Sequence, residues 1–496
     1  MPEIVRGRYV LTGDSQGSVL EDGAVVFDGG TILDLGSFSE MQRIHNPARV
    51  YGSPNHVVLP GLVNAHHHGY GVNLFRIGLE DEPLERWIIN NWYHPDGRTV
   101  PIFYENTLLA GLKMLKSGVT TVLHHYYFTE AHSENHLEVM NLCLQAYQDL
   151  GVRVAFAPSI RDRHQFAYLD DDTFISSLPA DAVDSLKKLG KIPVRYPTPA
   201  QYFQTFDKLR SQHENGKARF LFGPAGPQWC SPQLLKEINE RSELEGIGIH
   251  THLLETPMQR KYGEREYPGG LVGYLEELGL LNTRLTLAHG VQLTRQEIKK
   301  LAQADCKVVH NPSSNLRLFN GVAPIREMLE EGLSVGLGMD STSLDDDEDM
   351  FREMRLCSVL QRPQRIDASP IPSSVILHMN VANGAKITQF EGVIGPLEPG
   401  KKADLILLDF LKIEEPFIGP EADVLTVILQ LANKSHVDTV FVDGRPILEQ
   451  GRSNRIDEEK LLQDIRQKYQ FKGDSPESKK LRQAVTDQVI RLYSAW

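Results

Sequence analysis

A chain of 496 residues, 41% of them apolar, holds more core-forming material than one ordinary domain of about 100–200 residues. Its net charge of −13, from 52 Lys and Arg against 65 Asp and Glu, argues against nucleic acid or an anionic membrane as partner, because little is available to neutralise phosphate. The four scattered cysteines, Cys143, Cys230, Cys306 and Cys357, form no CxxC pair and indicate neither a disulfide framework nor a thiolate zinc site.

The opening MPEIVRGRYV lacks a basic stretch followed by an apolar one, and no apolar run approaches the roughly 18 residues that span a bilayer. A soluble, cytoplasmic protein of a reducing compartment is expected. Residues 1–58 read as short strands: IVRGRYVLT, GAVVFDGG and TILDLG are apolar or alternating and are cut by Gly and Asp. The same texture returns in ADLILLDF (403–410), LTVILQLA (425–432) and VDTVFVDGRPILEQG (437–451). Segments 1–58 and 400–451 are therefore expected to combine in a composite β domain.

Between them, strand-like and helix-like segments alternate. HVVLPGLVNAH, VTTVLHH, VRVAFAPS, ARFLFGP, GIGIHTHL, RLTLAHG, CKVVHN and SVGLGMD are apolar enough for strands buried on both faces. Helix candidates such as ENTLLAGLKMLKSG, NHLEVMNLCLQAYQDLG and SPQLLKEINERSEL separate them. Roughly eight such units over 59–399 fit a closed α/β barrel with its chemistry at the strand C-termini; an open doubly wound sheet is the competing architecture. No nucleotide-binding glycine fingerprint appears. Residues 452–496 carry two polar helical stretches, expected as a helical extension docked on the barrel or on a second subunit.

The strongest local signal is Ala65-His66-His67-His68 at a strand end. Side chains two apart share a face, so His66 and His68 converge while His67 points away. His252 ends a later strand with Glu255 three residues on, His289 ends another, and Asp340 a fourth. Three imidazoles and a carboxylate suit one divalent metal with an open position for water, whose pKa the metal lowers. Asp340 would bind the metal or its water and take the proton, Glu255 would act as acid, and His289 would orient water or substrate. His250 shares a face with His252 and is a rival ligand, although its deeper position favours layer packing.

VVLPGLVNAHHH resembles the opening P-G-h-h-N-A-H-x-H of the amidohydrolase superfamily, in its cytosine deaminase, guanine deaminase and triazine hydrolase branch. HTHLLET, LAHGVQLTRQEI, VVHNPSSNLRLFNGVAPIREMLEEGLSVGLGMDST and IGPLEPGKKADLILLD resemble that branch's later motifs in order. The resemblance implies a (β/α)8 TIM barrel with a small composite β-sandwich domain and one Zn²⁺ or Fe²⁺ held by His66, His68, His252 and Asp340. Glu255 and His289 would handle protons. Binuclear relatives use a lysine on a middle strand; here Lys217 lies at the wrong end of ARFLFGPAG, which favours one metal.

The implied activity is hydrolytic deamination of a small purine, pyrimidine, pterin or triazine. Displacement of chloride or an alkylamine, or opening of a cyclic amide, would use the same groups, and a non-catalytic scaffold is the alternative from another class. Adenosine-type members carry a histidine in the loop after strand four, where this chain reads Gly223-Pro224-Ala225-Gly226-Pro227-Gln228-Trp229. Gln228 and Trp229 are candidates to read a planar ring instead, with packing at the barrel mouth as the other reading of Trp229. Pro83-Leu84-Glu85-Arg86-Trp87 resembles a substrate-covering loop, which makes Trp87, Arg86 and Trp92 further candidates. His125 is a candidate contact that would otherwise support or pack, as would His124. The acidic run 345–349 is expected as a solvated loop. The partner expected is a small-molecule substrate; a homo-oligomer is compatible with the acidic surface and the helical tail.

Overall fold

Chain order begins with seven short strands, β1 (Glu3–Arg6), β2 (Tyr9–Leu11), β3 (Val19–Glu21), β4 (Gly23–Asp28), β5 (Thr31–Ser37), β6 (Arg49–Gly52) and β7 (His56–Pro60). They belong to the computed structural model of the chain, which describes residues 1–93, 102–127, 135–469, 473 and 475–496, with Trp92 and Tyr93 as backbone alone. One sheet runs β5-β4-β1-β6.

The apolar segment HVVLPGLVNAH divides at Gly61, where any side chain would collide with Thr120. Its second half becomes the first barrel strand. The barrel strands are β8 (Leu62–His67), β9 (Val119–Tyr126), β10 (Arg153–Ile160), β11 (Ala218–Phe220), β12 (Gly223–Pro224), β13 (Ile249–Leu253), β14 (Leu285–His289), β15 (Lys307–His310) and β16 (Ser334–Leu337). ARFLFGP is thus two short pieces, not one strand. All neighbours are parallel, in the runs β11-β10-β9-β8 and β13-β14-β15-β16, with β12 beside β10. Bridges Phe222↔Ile249 and His67↔Asp340 join the two runs, so the chain is a closed (β/α)8 barrel.

Alternation sorts the side chains. Val154 and Phe156 face the surrounding helices, whereas Ala155 and Ala157 pack inside with Val63, Ala65, Leu123 and Val309. The small interior residues leave room for the helix and turn that plug the bottom through Ile387 and Phe390.

The chain then returns to the β domain through β17 (Leu405–Asp409), β18 (Val437–Val442), β19 (Arg445–Glu449) and β20 (Arg452–Ser453), which complete a second sheet, β20-β19-β18-β17-β7-β2-β3. Leu405 and Leu407 enter the core between the two sheets with Val58, Val5 and Phe27; Ile406 and Leu408, with Val57 and Leu59, turn toward the barrel. One sheet therefore seals two cores.

Two further expectations fail. LTVILQLA is a helix, Val424–Leu431: Asp423 caps it by accepting from Thr426 N at 2.9 Å, and Leu425, Ile428 and Leu429 bury at helical spacing. The acidic run is not a solvated loop. Asp345, Glu348 and Asp349 are buried, with Arg352 3.1 Å from Asp345, Lys434 3.0 Å from Asp347 and His67 2.9 Å from Glu348. The tail forms helices Glu458–Lys468 and Pro476–Ser494.

Candidate metal centre and active site

A bulge in β8 builds the first half of the site. Asn64 pairs with Val122 and His67 with His124, so Ala65 and His66 together span the single residue Leu123. The extra residue lets His66 follow Ala65 onto the inner face and keeps His68 beside it. Opposite, Gly338 carries no side chain because one would strike His66 and Asn311. His289 should face outward with Leu285 and Leu287, but its φ of 73° turns the strand end into the barrel; Asp340 has φ 67°. Such left-handed non-glycine backbone costs of order 1 kcal/mol or more and persists where the surroundings hold it.

The ring protons are placed by what lies behind each imidazole. His68 Nδ1 donates to His125 O at 2.7 Å and His252 Nδ1 to Ala225 O at 2.7 Å, so each Nε2 carries a lone pair. His66 Nδ1 lies 2.7 Å from His250 Nε2, and His66 Nε2 has no hydrogen-bond partner. The Nε2 atoms of His66 and His68 stand 3.5 and 3.1 Å from Asp340 Oδ1. Three overlapping triads bring ligand atoms within 4.8 Å of one another: His66-His68-Asp340, His66-His252-His289 and His68-His125-His252.

Burial pushes the His66, His125 and His250 rings well below their ordinary range, and takes His252 down to about 3 with help from His68 and His289. Burial would raise Asp340, but the His66 and His68 rings close against it override that and hold the carboxylate well below normal. Neutral imidazoles aimed at an ionised carboxylate form a donor set that a divalent cation fits. His250 supports His66 from behind, the layer role expected of it. His124 turns away to Tyr147 Oη at 3.1 Å.

Glu255 is the opposite case to Asp340. Burial, then the charges of Asp340 and Glu85, push its carboxyl well above its usual range. Its Oε1 accepts from Asn320 Nδ2 at 3.0 Å and its Oε2 lies 3.7 Å from His289 Nε2. His289 is in turn 3.9 Å from Asp340 Oδ2, with its Nδ1 on Asn315 Oδ1 at 3.0 Å. Ser314 donates to Asp340 Oδ2 at 2.5 Å. The roles of Ser314, Asn315 and Asn320 were missed, although all three stand in the segment HNPSSNLRLFN.

The centre opens into a cleft of about 640 Å³, including the part open to solvent. Its walls are mostly aromatic or aliphatic: Trp87, Trp229, Tyr127, Leu84, Ile88 and Leu318, with Glu255, His289 and Asp340 at the floor. Trp87 and Trp229 both line this cleft. Arg86 is not on this wall and pairs with Glu82 at 2.6 Å. Gln228 is also off the wall, wholly buried, with neither amide atom hydrogen-bonded. His125 sits within the imidazole cluster beneath the cleft. The side chain of Trp92 lies outside the described residues.

A closed parallel barrel with neutral imidazoles and one carboxylate at its strand ends, under an apolar slot, is the frame of a metal-dependent hydrolase acting on a small molecule. The chain belongs to the amidohydrolase family, whose profile matches residues 57–447. It is 30% identical to the 5-methylthioadenosine/S-adenosylhomocysteine deaminase of Desulforudis audaxviator, over 82% of this chain and 84% of the relative. For the enzyme of the same name in Pelotomaculum thermopropionicum the figures are 28%, 94% and 97%. Among solved structures, a zinc-bound adenosine deaminase from Xanthomonas campestris aligns at TM-score 0.78 and 26% identity, over 94% of this chain and 97% of its own. The zinc complex of an atrazine chlorohydrolase from Arthrobacter aurescens shares the fold, at TM-score 0.79 and 21% identity, over 94% and 100% of the two chains.

Proposed function

We propose that this chain hydrolytically deaminates a small amino-substituted nitrogen heterocycle, aminopurines first, with one divalent ion, zinc ahead of iron. The observation that carries the reading is geometric: His289 Nε2 stands 3.7 Å from Glu255 and 3.9 Å from Asp340 at the floor of one aromatic slot, where burial pushes the Glu255 carboxyl up and the neighbouring imidazoles hold Asp340 down. Pairs of groups whose environments push their pKa values apart divide the acid and base roles.

His66, His68, His252 and Asp340 would hold the ion. When bound, it acidifies water and polarises the bond to be broken. Asp340 accepts the proton of the attacking water, the new C–O bond forms at the amino-bearing carbon, and Glu255 protonates the adjacent ring nitrogen. The C–N bond then breaks, and the amine departs as ammonia after a second proton transfer. His289 orients the attacking oxygen from between the two carboxyl groups. Trp87 and Trp229 hold the ring plane. One ion rather than two is favoured because β12 ends in Gly223-Pro224, while Lys217 lies at the far end and pairs with Asp443 at 3.2 Å.

The relatives named as deaminases of adenosine compounds point to a purine. The loop Gly223 to Trp229 holds no histidine, and the Ala225 carbonyl is already used by His252. Recognition is therefore placed on the ring rather than on a sugar. The four cysteines are free and buried, which agrees with a cytoplasmic enzyme.

The test is ammonia release by protein of known metal content on a panel of amino-heterocycles, each reaction also followed by mass. One ion per chain, ammonia and a one-dalton gain are expected. Loss of chloride or an alkylamine without ammonia would replace deamination with displacement.

A further inference from the structure

The C-terminal helix, Pro476–Ser494, lies beyond the residues that the family profile matches, yet it packs along the helix Leu84–Tyr93 that walls the cleft. Four residues of that wall helix, Leu84, Trp87, Ile88 and Asn91, line the cleft. Its Glu85 points elsewhere. Glu85 Oε1 accepts from Thr256 Oγ1 at 2.5 Å and from Tyr168 Oη at 3.2 Å.

Each partner leads to another part of the site. Thr256 follows Glu255 and caps the next helix by accepting from Gln259 N at 3.1 Å, while Gln259 Oε1 accepts from Glu255 N at 2.9 Å. The Tyr168 ring rests against Trp229, 5.8 Å between centroids, and against Tyr493, at 5.6 Å. The backbone N–H of Tyr168 donates to Tyr493 Oη at 2.9 Å. Trp496 packs edge-on against Tyr493 at 4.9 Å. One buried chain of contacts thus runs from the terminal helix through Tyr168 to Trp229, to Glu85 and so to the segment bearing Glu255.

We propose that the C-terminal helix is a built-in brace of the substrate pocket, and that Glu85 is the positioning residue through which it fixes the wall helix against the Glu255 segment. The reading rests on the proposed hydrolase activity only for its kinetic half. Ion pairs on exposed helices contribute little. Here the contacts are hydrogen bonds to a carboxylate and aromatic packing in a buried setting, where they hold geometry. Substrate contacts made by Trp87 and Trp229 would loosen without the brace, whereas the imidazole cluster stands on barrel strands that the terminal helix does not carry.

Two variants test this: a chain ending at residue 473, and Glu85→Gln in the full-length protein. For the truncated chain, KM should rise about tenfold or more with kcat within about threefold, the pattern of lost binding rather than lost chemistry. Metal content should be unchanged, and amide exchange over residues 84–93 should quicken. A synthetic peptide of residues 474–496 added in trans should reverse both effects. Glu85→Gln should quicken the same exchange and raise KM, which keeps the test open if the truncated chain does not fold. Unchanged exchange at 84–93 and unchanged KM in Glu85→Gln would overturn the proposal. The exchange measurement needs no substrate, so it stands even if no heterocycle is deaminated.

Discussion

The two ends of the barrel bury charge in opposite ways. At the N-terminal end of β10, Arg153 is 1% exposed and closed on all sides. Its Nε and Nη2 donate to the two oxygens of Asp404 at 2.9 and 3.0 Å, and Nη2 also meets Asp443. Both acids belong to the β domain, so a complete set of partners bolts that domain to the barrel floor. At the C-terminal end, imidazoles crowd around Asp340, and burial pushes the Glu255 carboxyl up. That arrangement is left incomplete by protein atoms alone. The buried arginine at the floor is paired with acids, whereas the ionisable groups at the rim face a cleft, the end at which barrel enzymes keep their chemistry.

The division can be broken from either side. Glu255→Gln should retain the metal and lower kcat by about 10²–10⁴-fold, the usual worth of a positioned acid. It should barely move the melting temperature, because the amide oxygen can still accept from Asn320 Nδ2. Metal analysis, kinetics and a thermal scan on one preparation check this; full activity would remove Glu255 as the acid. Arg153→Ala should do the reverse. Stripping one member from a buried ion pair costs about 3–5 kcal/mol, since Asp404 is left without its partner. Denaturant unfolding should show the loss, while turnover per folded molecule stays at the wild-type value. A drop in turnover that exceeds the folded fraction would mean that the floor communicates with the rim.

How much of this could be read from the chain follows the same division. The rim was legible because chemistry needs particular residues in particular places: His66, His68, His252, Glu255, His289 and Asp340 each stand where an apolar strand gives way to a loop. Their inward aim was less so. The bulge at Ala65–His66 and the positive φ of His289 leave no mark in residue type, since neither falls on a glycine. LTVILQLA misled because the face it turns away from the core is apolar too, with Leu431 exposed and Val424 and Val427 half-buried, which hides the period that separates helix from strand. Gln228 and Arg86 were drawn from neighbouring positions in chain order, but pocket walls are set by tertiary packing. Asn320 faces Glu255 across 65 residues of sequence, a distance no local pattern bridges.

The acidic segment gives the smallest and sharpest test, because it lies between the two kinds of burial. Glu348 anchors His67, the histidine between two site residues, and Glu353 accepts from Ser313 N at 3.1 Å, next to Ser314. Asp345 beside them is wholly buried. Burial first, then Glu353 and Glu348, push its carboxyl well above the usual range. The native protein therefore keeps a proton that the unfolded chain releases near its ordinary pKa of about 3.9. From that pH upward the unfolded state binds fewer protons than the native one, so stability falls as pH rises until the folded pKa is passed. Asp345→Asn cannot ionise and removes this slope. Its stability relative to the wild type should climb between about pH 5 and about pH 8, by at most about 1.4 kcal/mol per pH unit, with Arg352 limiting the gain. Arg352 Nη2 lies 3.1 Å from Asp345, close enough to compensate an ionised carboxylate. A stability difference that stays flat across that range would place the charge on Asp345 in the folded state. The segment would then be a sealed ion pair like the barrel floor, rather than a carboxyl pushed up by burial as Glu255 is.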